Sequence, residues 1–142
     1  MEKNHHTFDL VSYAAAHAAV DEPDKRFLER FLSILDTHTS SPDINVTMIE
    51  SMMNTSHSTL FRKMKRLTGR SPQDIVADYR VTRGMHFLRE GFNVSESAYK
   101  SGFSNPKYFK TCFLKKYGIL PSKYKKMIAD GLSDVELAGE SK

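Results

Sequence analysis

Apolar residues recur along this chain at intervals of three and four, and no stretch alternates with the period of two that marks a half-buried strand. Phe27, Leu28, Phe31, Leu32 and Leu35 predict an amphipathic helix that ends before the Ser/Pro-rich stretch Thr39–Pro42. Leu60, Met64 and Leu67 form a second apolar stripe, and Phe109, Cys112 and Phe113 a third. Between these two, Ser71–Pro72–Gln73–Asp74 opens a long helix, with a Ser cap, Pro at the first position and an acid at the third. Ile75, Val76, Tyr79, Val81, Met85 and Leu88 are its apolar residues, and Gly91 stops it after Glu90. Gly84 inside it costs about 1 kcal/mol relative to Ala, a loss that close packing against a neighbouring helix would offset. After Pro121 a last short helix turns Tyr124, Met127 and Ile128 inward and Lys123, Lys125 and Lys126 outward. The fold class is all-α.

Two of these helices are copies of one pattern. Shifted by 49 residues, Ser56 meets Asn105, Leu60 meets Phe109, Met64 meets Phe113, Gly69 meets Gly118 and Pro72 meets Pro121. Ser56 and Asn105 are N-caps, and Pro106 suits a first helical position. Gly69 and Gly118 stand where a left-handed C-cap is wanted. A shorter helix precedes each. Asn93 with Glu96 makes a capping box, Val94, Ala98 and Ser101 face inward, and Gly102 ends the helix. In the first copy either Thr47, with Glu50, or Asn45 caps; Ile49, Met52 and Met53 supply apolar contacts, and Asn54 takes the place of Gly102. A helix, a tight Gly/Asn turn and a capped basic helix make a helix-turn-helix.

The expected organisation is a tail over residues 1–22 and one domain over 23–128, its ordered part starting near Asp24. The first helix-turn-helix covers about 45–69, the linker helix about 72–90 and the second helix-turn-helix about 93–118. Residues 129–142, polar and acidic, are expected to fray. The linker helix is about 27 Å long at the usual rise per residue. One turn of B-DNA is about 34 Å, so the two basic helices could enter successive major grooves.

Charge sharpens this picture. The windows 51–73 and 97–129 hold 13 of the 21 Lys and Arg residues and none of the 17 Asp and Glu. The net charge of +4 therefore conceals two concentrated basic surfaces suited to a polyanion, nucleic acid first among them. Other chemistry is thin. Cys112 sits on an apolar stripe, which suits a small core residue better than a nucleophile or metal ligand. His5–His6 lacks partners at metal-ligand spacing, and there is no phosphate-binding glycine loop, paired carboxylate or triad. No enzyme, cofactor or metal is expected. The single Cys excludes an internal disulfide and fits a reducing cytoplasm, and no signal peptide or membrane-spanning run is visible.

The run Leu60–Phe61–Arg62–Lys63–Met64–Lys65–Arg66–Leu67–Thr68–Gly69, then Ser71–Pro72 and Arg80–Val81–Thr82–Arg83–Gly84–Met85, resembles the DNA-binding domain of the AraC/XylS family of bacterial transcription regulators. The resemblance continues through Ala98, Gly102–Phe103, Tyr108–Phe109, Phe113, Gly118 and Pro121–Ser122–Lys123–Tyr124, and covers about residues 24–127. It implies a seven-helix module in which a long helix joins two helix-turn-helix units. The Arg-Lys-x-Lys-x-Leu-Thr-Gly version looks most like the C-terminal output domains of hybrid two-component sensors. On that likeness the chain is a piece of a membrane-anchored regulator, with this domain on the cytoplasmic side. Three positions depart from the family pattern: Gly84 where Ala is usual, Glu50 where the residue is usually small, as Ala98 is in the second unit, and Leu114 where Lys or Arg is usual.

By position, the resemblance implies that His57, Ser58, Phe61 and Arg62 face the groove in the first unit, and Lys107, Lys110 and Thr111 in the second, behind the cap Asn105. Arg62 is the strongest base reader, since its fork can donate two hydrogen bonds to guanine O6 and N7. Phe61 either touches a thymine methyl or packs on the domain edge. Lys63, Lys65, Arg66, Arg70, Lys115, Lys116 and Lys123 are assigned to phosphates, which supply affinity without sequence information. Double-stranded DNA is the expected partner. RNA polymerase and further domains for oligomerisation are candidates, the expected direction of regulation is activation, and no small-molecule site is visible. Two alternatives stay open: an architectural protein that binds all duplexes alike, and a repair methyltransferase fragment, which would need an exposed, activated Cys.

Overall fold

The computed structural model describes residues 8–38, 41 and 44–131. His5, His6 and most of the expected C-terminal tail lie outside the described residues. Eight helices are present among the described residues: α1 (Leu10–Ala15), α2 (Glu22–Thr37), α3 (Val46–Met52), α4 (His57–Thr68), α5 (Pro72–Arg89), α6 (Val94–Lys100), α7 (Pro106–Tyr117) and α8 (Pro121–Ala129). No described residue is in a strand, and no described helix is long and apolar enough to cross a membrane. Two compact units share the chain, one ending at Tyr79 and the other beginning at Arg80, so the boundary falls inside α5.

The first unit has one apolar core. Leu28, Phe31 and Leu35 of α2, Ile49 of α3, Leu60, Met64 and Leu67 of α4, and Ile75 and Tyr79 of α5 are buried together. Each such aliphatic or aromatic side chain stabilises the fold by about 1.5–3 kcal/mol. Tyr79 also donates from its hydroxyl to Asp36 at 2.5 Å, so its polar end is satisfied inside this unit.

Helix α1 falls within residues 1–22, where a tail is expected from the sequence. Asp9 caps it by accepting from the Ser12 backbone N–H at 3.1 Å. Leu10 and Ala14 are fully buried in the first core, and Phe8 meets Tyr79 edge-on at 6.0 Å between ring centroids. Six residues are too few to be stable as an isolated helix, so tertiary packing holds α1. Helix α2 starts at Glu22, with a reciprocal capping box between Asp21 and Asp24.

The second unit closes on Val81 and Leu88 of α5, Ala98 of α6, Phe103, Phe109 and Phe113 around α7, and Tyr124 of α8. Its aromatic rings touch in sequence, Phe103 to Phe109 at 5.2 Å, Phe109 to Phe113 at 5.7 Å, and Phe113 to Tyr124 at 5.7 Å. Such pairs are worth about 0.5–1.5 kcal/mol beyond their buried area. Cys112 is half-buried against this core.

Candidate nucleic-acid interface

In the first unit the side chain of Asn45, not Thr47, caps α3, accepting from the Met48 N–H at 2.9 Å. The chain then turns through Asn54 at φ 54°. Ser56 caps α4, accepting from the Thr59 N–H at 3.1 Å, and Gly69 ends it at φ 78°. The buried stripe of Leu60, Met64 and Leu67 forces the remaining faces outward. His57, Ser58, Phe61, Arg62, Lys63, Lys65 and Arg66 are all exposed.

The second unit repeats the geometry. Asn93 and Glu96 form the expected capping box on α6, and the chain turns at Gly102 with φ 101°. Asn105 caps α7, accepting from the Tyr108 N–H at 2.9 Å, and Gly118 ends it at φ 81°. Phe109 and Phe113 are fully buried, while Lys107, Lys110, Thr111, Leu114 and Lys115 are exposed. The two left-handed glycine caps, 49 residues apart, end their helices with nearly the same backbone angles.

The basic side chains differ in what already holds them. Arg66 donates to Asp24 of α2 at 2.9 Å. That hydrogen bond, with the guanidinium charge, holds the Asp24 carboxyl below its ordinary range, and Asp24 raises Arg66 in turn. Lys65 donates to the Gly69 carbonyl at 3.2 Å, which fixes it on the C-terminus of its own helix. Lys63 lies over the Phe27 ring, 5.2 Å from its centroid. Among the described residues, Arg62 has no ion-pair partner, so its fork stays available to a ligand.

Arg70, assigned to phosphate in the sequence reading, has another task. Its guanidinium donates to the Tyr13 hydroxyl at 3.1 Å and to Asp78, and it is only 32% exposed. Burial alone would lower its pKa, but Tyr13 and Asp78 outweigh that and raise it. Arg70 therefore ties α1 to the second turn of α5 within the first unit. Glu50 is accounted for as well: its carboxylate lies 2.6 Å from His57 Nδ1. Phe61 is 40% exposed, with its ring 6.4 Å from that of His57, so it points away from the core.

Tyr108, which is not among the expected contact residues, is also on the surface. It is 52% exposed on α7 beside Lys107, with its ring on Phe103 at 5.6 Å. Its place one residue before buried Phe109 puts it off the inward stripe. Leu114, 45% exposed, puts an apolar side chain on the same helix near Lys110 and Lys115. Among the described residues no group of three or more His, Cys, Asp or Glu is placed to hold a metal.

A family model described as "Helix-turn-helix domain" matches residues 49–127, more than half of the chain. Histidine kinase P4 of Formosa agariphila is 30% identical over 102 residues, which are 71% of this chain and 7% of that protein. The HTH-type transcriptional activator RhaS of Escherichia coli is 30% identical over 95 residues, 66% of this chain and 34% of RhaS. The chain thus spans about a third or less of the curated relatives it matches here. Among solved structures, the DNA-binding domain of the global transcriptional factor AdpA, in complex with a target DNA, superposes with a TM-score of 0.66 at 22% identity, covering 72% of this chain and 94% of that one.

Proposed function

This chain belongs to the AraC/XylS family of helix-turn-helix proteins, and from that membership we propose that it is the DNA-binding part of a sequence-specific transcription regulator. Each unit lays one capped helix against the major groove. In α4, Arg62 reads a base edge with His57, Ser58 and Phe61 beside it; in α7, Lys107, Lys110 and Thr111 read, with Asn105 at the helix start. Lys63, Lys65, Arg66 and Lys115 meet phosphates, with Arg66 exchanging Asp24 for the backbone. The observation that carries this reading is the matched pair of basic helices. Both are capped by short polar side chains, both end in a left-handed glycine, and both turn an exposed basic face outward from a buried apolar stripe.

The chain's coverage of only 7% of a histidine kinase supports the reading of an output domain in a hybrid two-component regulator. On this reading the signal arrives from other domains, the direction of regulation is activation through RNA polymerase, and the domain works on the cytoplasmic side. No chemical step is assigned to it. Binding of the chain and of Arg62→Ala to a panel of single-base variants of a selected site tests the base-reading role. A bidentate contact to guanine carries about 1–3 kcal/mol of discrimination, so Arg62→Ala should lose roughly 5- to 150-fold at one base pair and little elsewhere. Equal loss on every sequence would contradict it and favour an architectural protein.

A further inference from the structure

We infer that Glu50 is a positioning residue for His57, and that together they set base specificity at the N-terminal end of α4; the inference rests on the reading above. His57 is the first residue of α4, immediately after the Ser56 cap, and its side chain is 66% exposed. Glu50 lies in α3 with its side chain only 13% exposed. The 2.6 Å contact joins Glu50 Oε2 to His57 Nδ1. An ionised carboxylate can only accept, so Nδ1 carries the proton. That leaves Nε2, on the other side of the ring, as the nitrogen free to meet a base edge. The contact also fixes the ring plane, which the exposed side chain alone would leave to rotate.

The fold does not require this pair. The second unit builds a helix, a turn one residue longer and a helix, with fully buried Ala98 in place of Glu50 when α6 is laid on α3, and Pro106 in place of His57 when α7 is laid on α4. Both members are absent together there. An acid beside the first residue of the basic helix α4 weakens attraction to DNA, so its presence calls for a compensating task. Orienting the imidazole supplies one.

The test is a double-mutant cycle on a selected duplex and its single-base variants, using Glu50→Ala, His57→Ala and the double variant, with Glu50→Gln as the conservative change. Glu50→Ala and His57→Ala should each lose discrimination at the same base pair, by about five- to tenfold, the net worth of one hydrogen bond. The double variant should lose no more than either single one. Glu50→Gln, whose amide oxygen still accepts from Nδ1, should keep most of the preference. Thermal melting of each variant separates lost positioning from lost folding. If Glu50→Ala shifts affinity on all sequences by one factor, or its loss falls at a different base pair from that of His57→Ala, Glu50 does not position His57. A wild-type chain with no preferred site would overturn the parent reading and this inference with it.

Discussion

A methyl group on Gly84 would stand 2.3 Å from Cε1 of Phe109, so the helix α5 backbone and the Phe109 ring occupy the space of one side chain. Phe109 is fully buried and sits between Phe103 and Phe113, so its ring has nowhere to retreat. Replacing Gly84 by Ala gains about 1 kcal/mol of helix propensity. Overpacking a filled core costs about 1–3 kcal/mol. The expected outcome is a net loss of stability, seen as a lower denaturation midpoint for Gly84→Ala. Gly84→Ala with Phe109→Leu should recover part of it. A Gly84→Ala variant more stable than the parent would show that the ring can move aside.

The Asp24–Arg66 pair makes a prediction about pH and one about salt. Arg66 holds the Asp24 carboxyl below its ordinary value of about 3.9. A carboxylate with a lowered folded-state pKa contributes stability that is present above that ordinary value and fades as pH falls through the lowered one. Acid unfolding of the parent should therefore be steeper below about pH 4 than that of Asp24→Asn, which has no such proton to take up. The same substitution releases Arg66 to phosphate. Its affinity for all duplexes should rise, because Arg66 no longer has to leave Asp24, while Arg66→Ala should flatten the slope of log K against log salt by about one contact. An unchanged slope in Arg66→Ala would mean that Arg66 meets no phosphate.

Arg70 should behave as a structural residue. Arg70→Ala removes the charged partner of Asp78, which is 8% exposed, and the bond to Tyr13. Losing such a partner costs about 1–3 kcal/mol. Its salt slope should match the parent's, whereas Lys115→Ala should flatten the slope by about one. A flattened slope with intact stability in Arg70→Ala would return this residue to the DNA-contacting set.

These cases also mark where sequence reasoning reaches and where it stops. Ser56, Asn93 and Asn105 were legible as caps because a cap depends on residues two or three positions away in the chain. The stripes Leu60–Met64–Leu67 and Phe109–Phe113 were legible for the same local reason. Close packing at Gly84 was inferred from its helical context, but that Phe109 fills the gap depends on a fold that brings residues 25 positions apart together. Helix α1 was missed because its cap, Asp9, precedes a run too short for periodicity to speak, and its burial comes from α2 and α4. The partners of Arg66 and Arg70 were also hidden. A window free of acids says nothing of Asp24, which arrives from 42 residues away, or of Tyr13, from 57.

A binding selection on randomised duplex DNA with the purified chain tests the central claim most directly. Two helices, each reading its own groove, predict an enriched motif of two blocks about 10 base pairs apart. Arg62→Ala should relax one block and Lys107→Ala or Lys110→Ala the other. Tight binding with no enriched motif, and equal weakening by all three substitutions on every sequence, would contradict the claim that this chain reads bases.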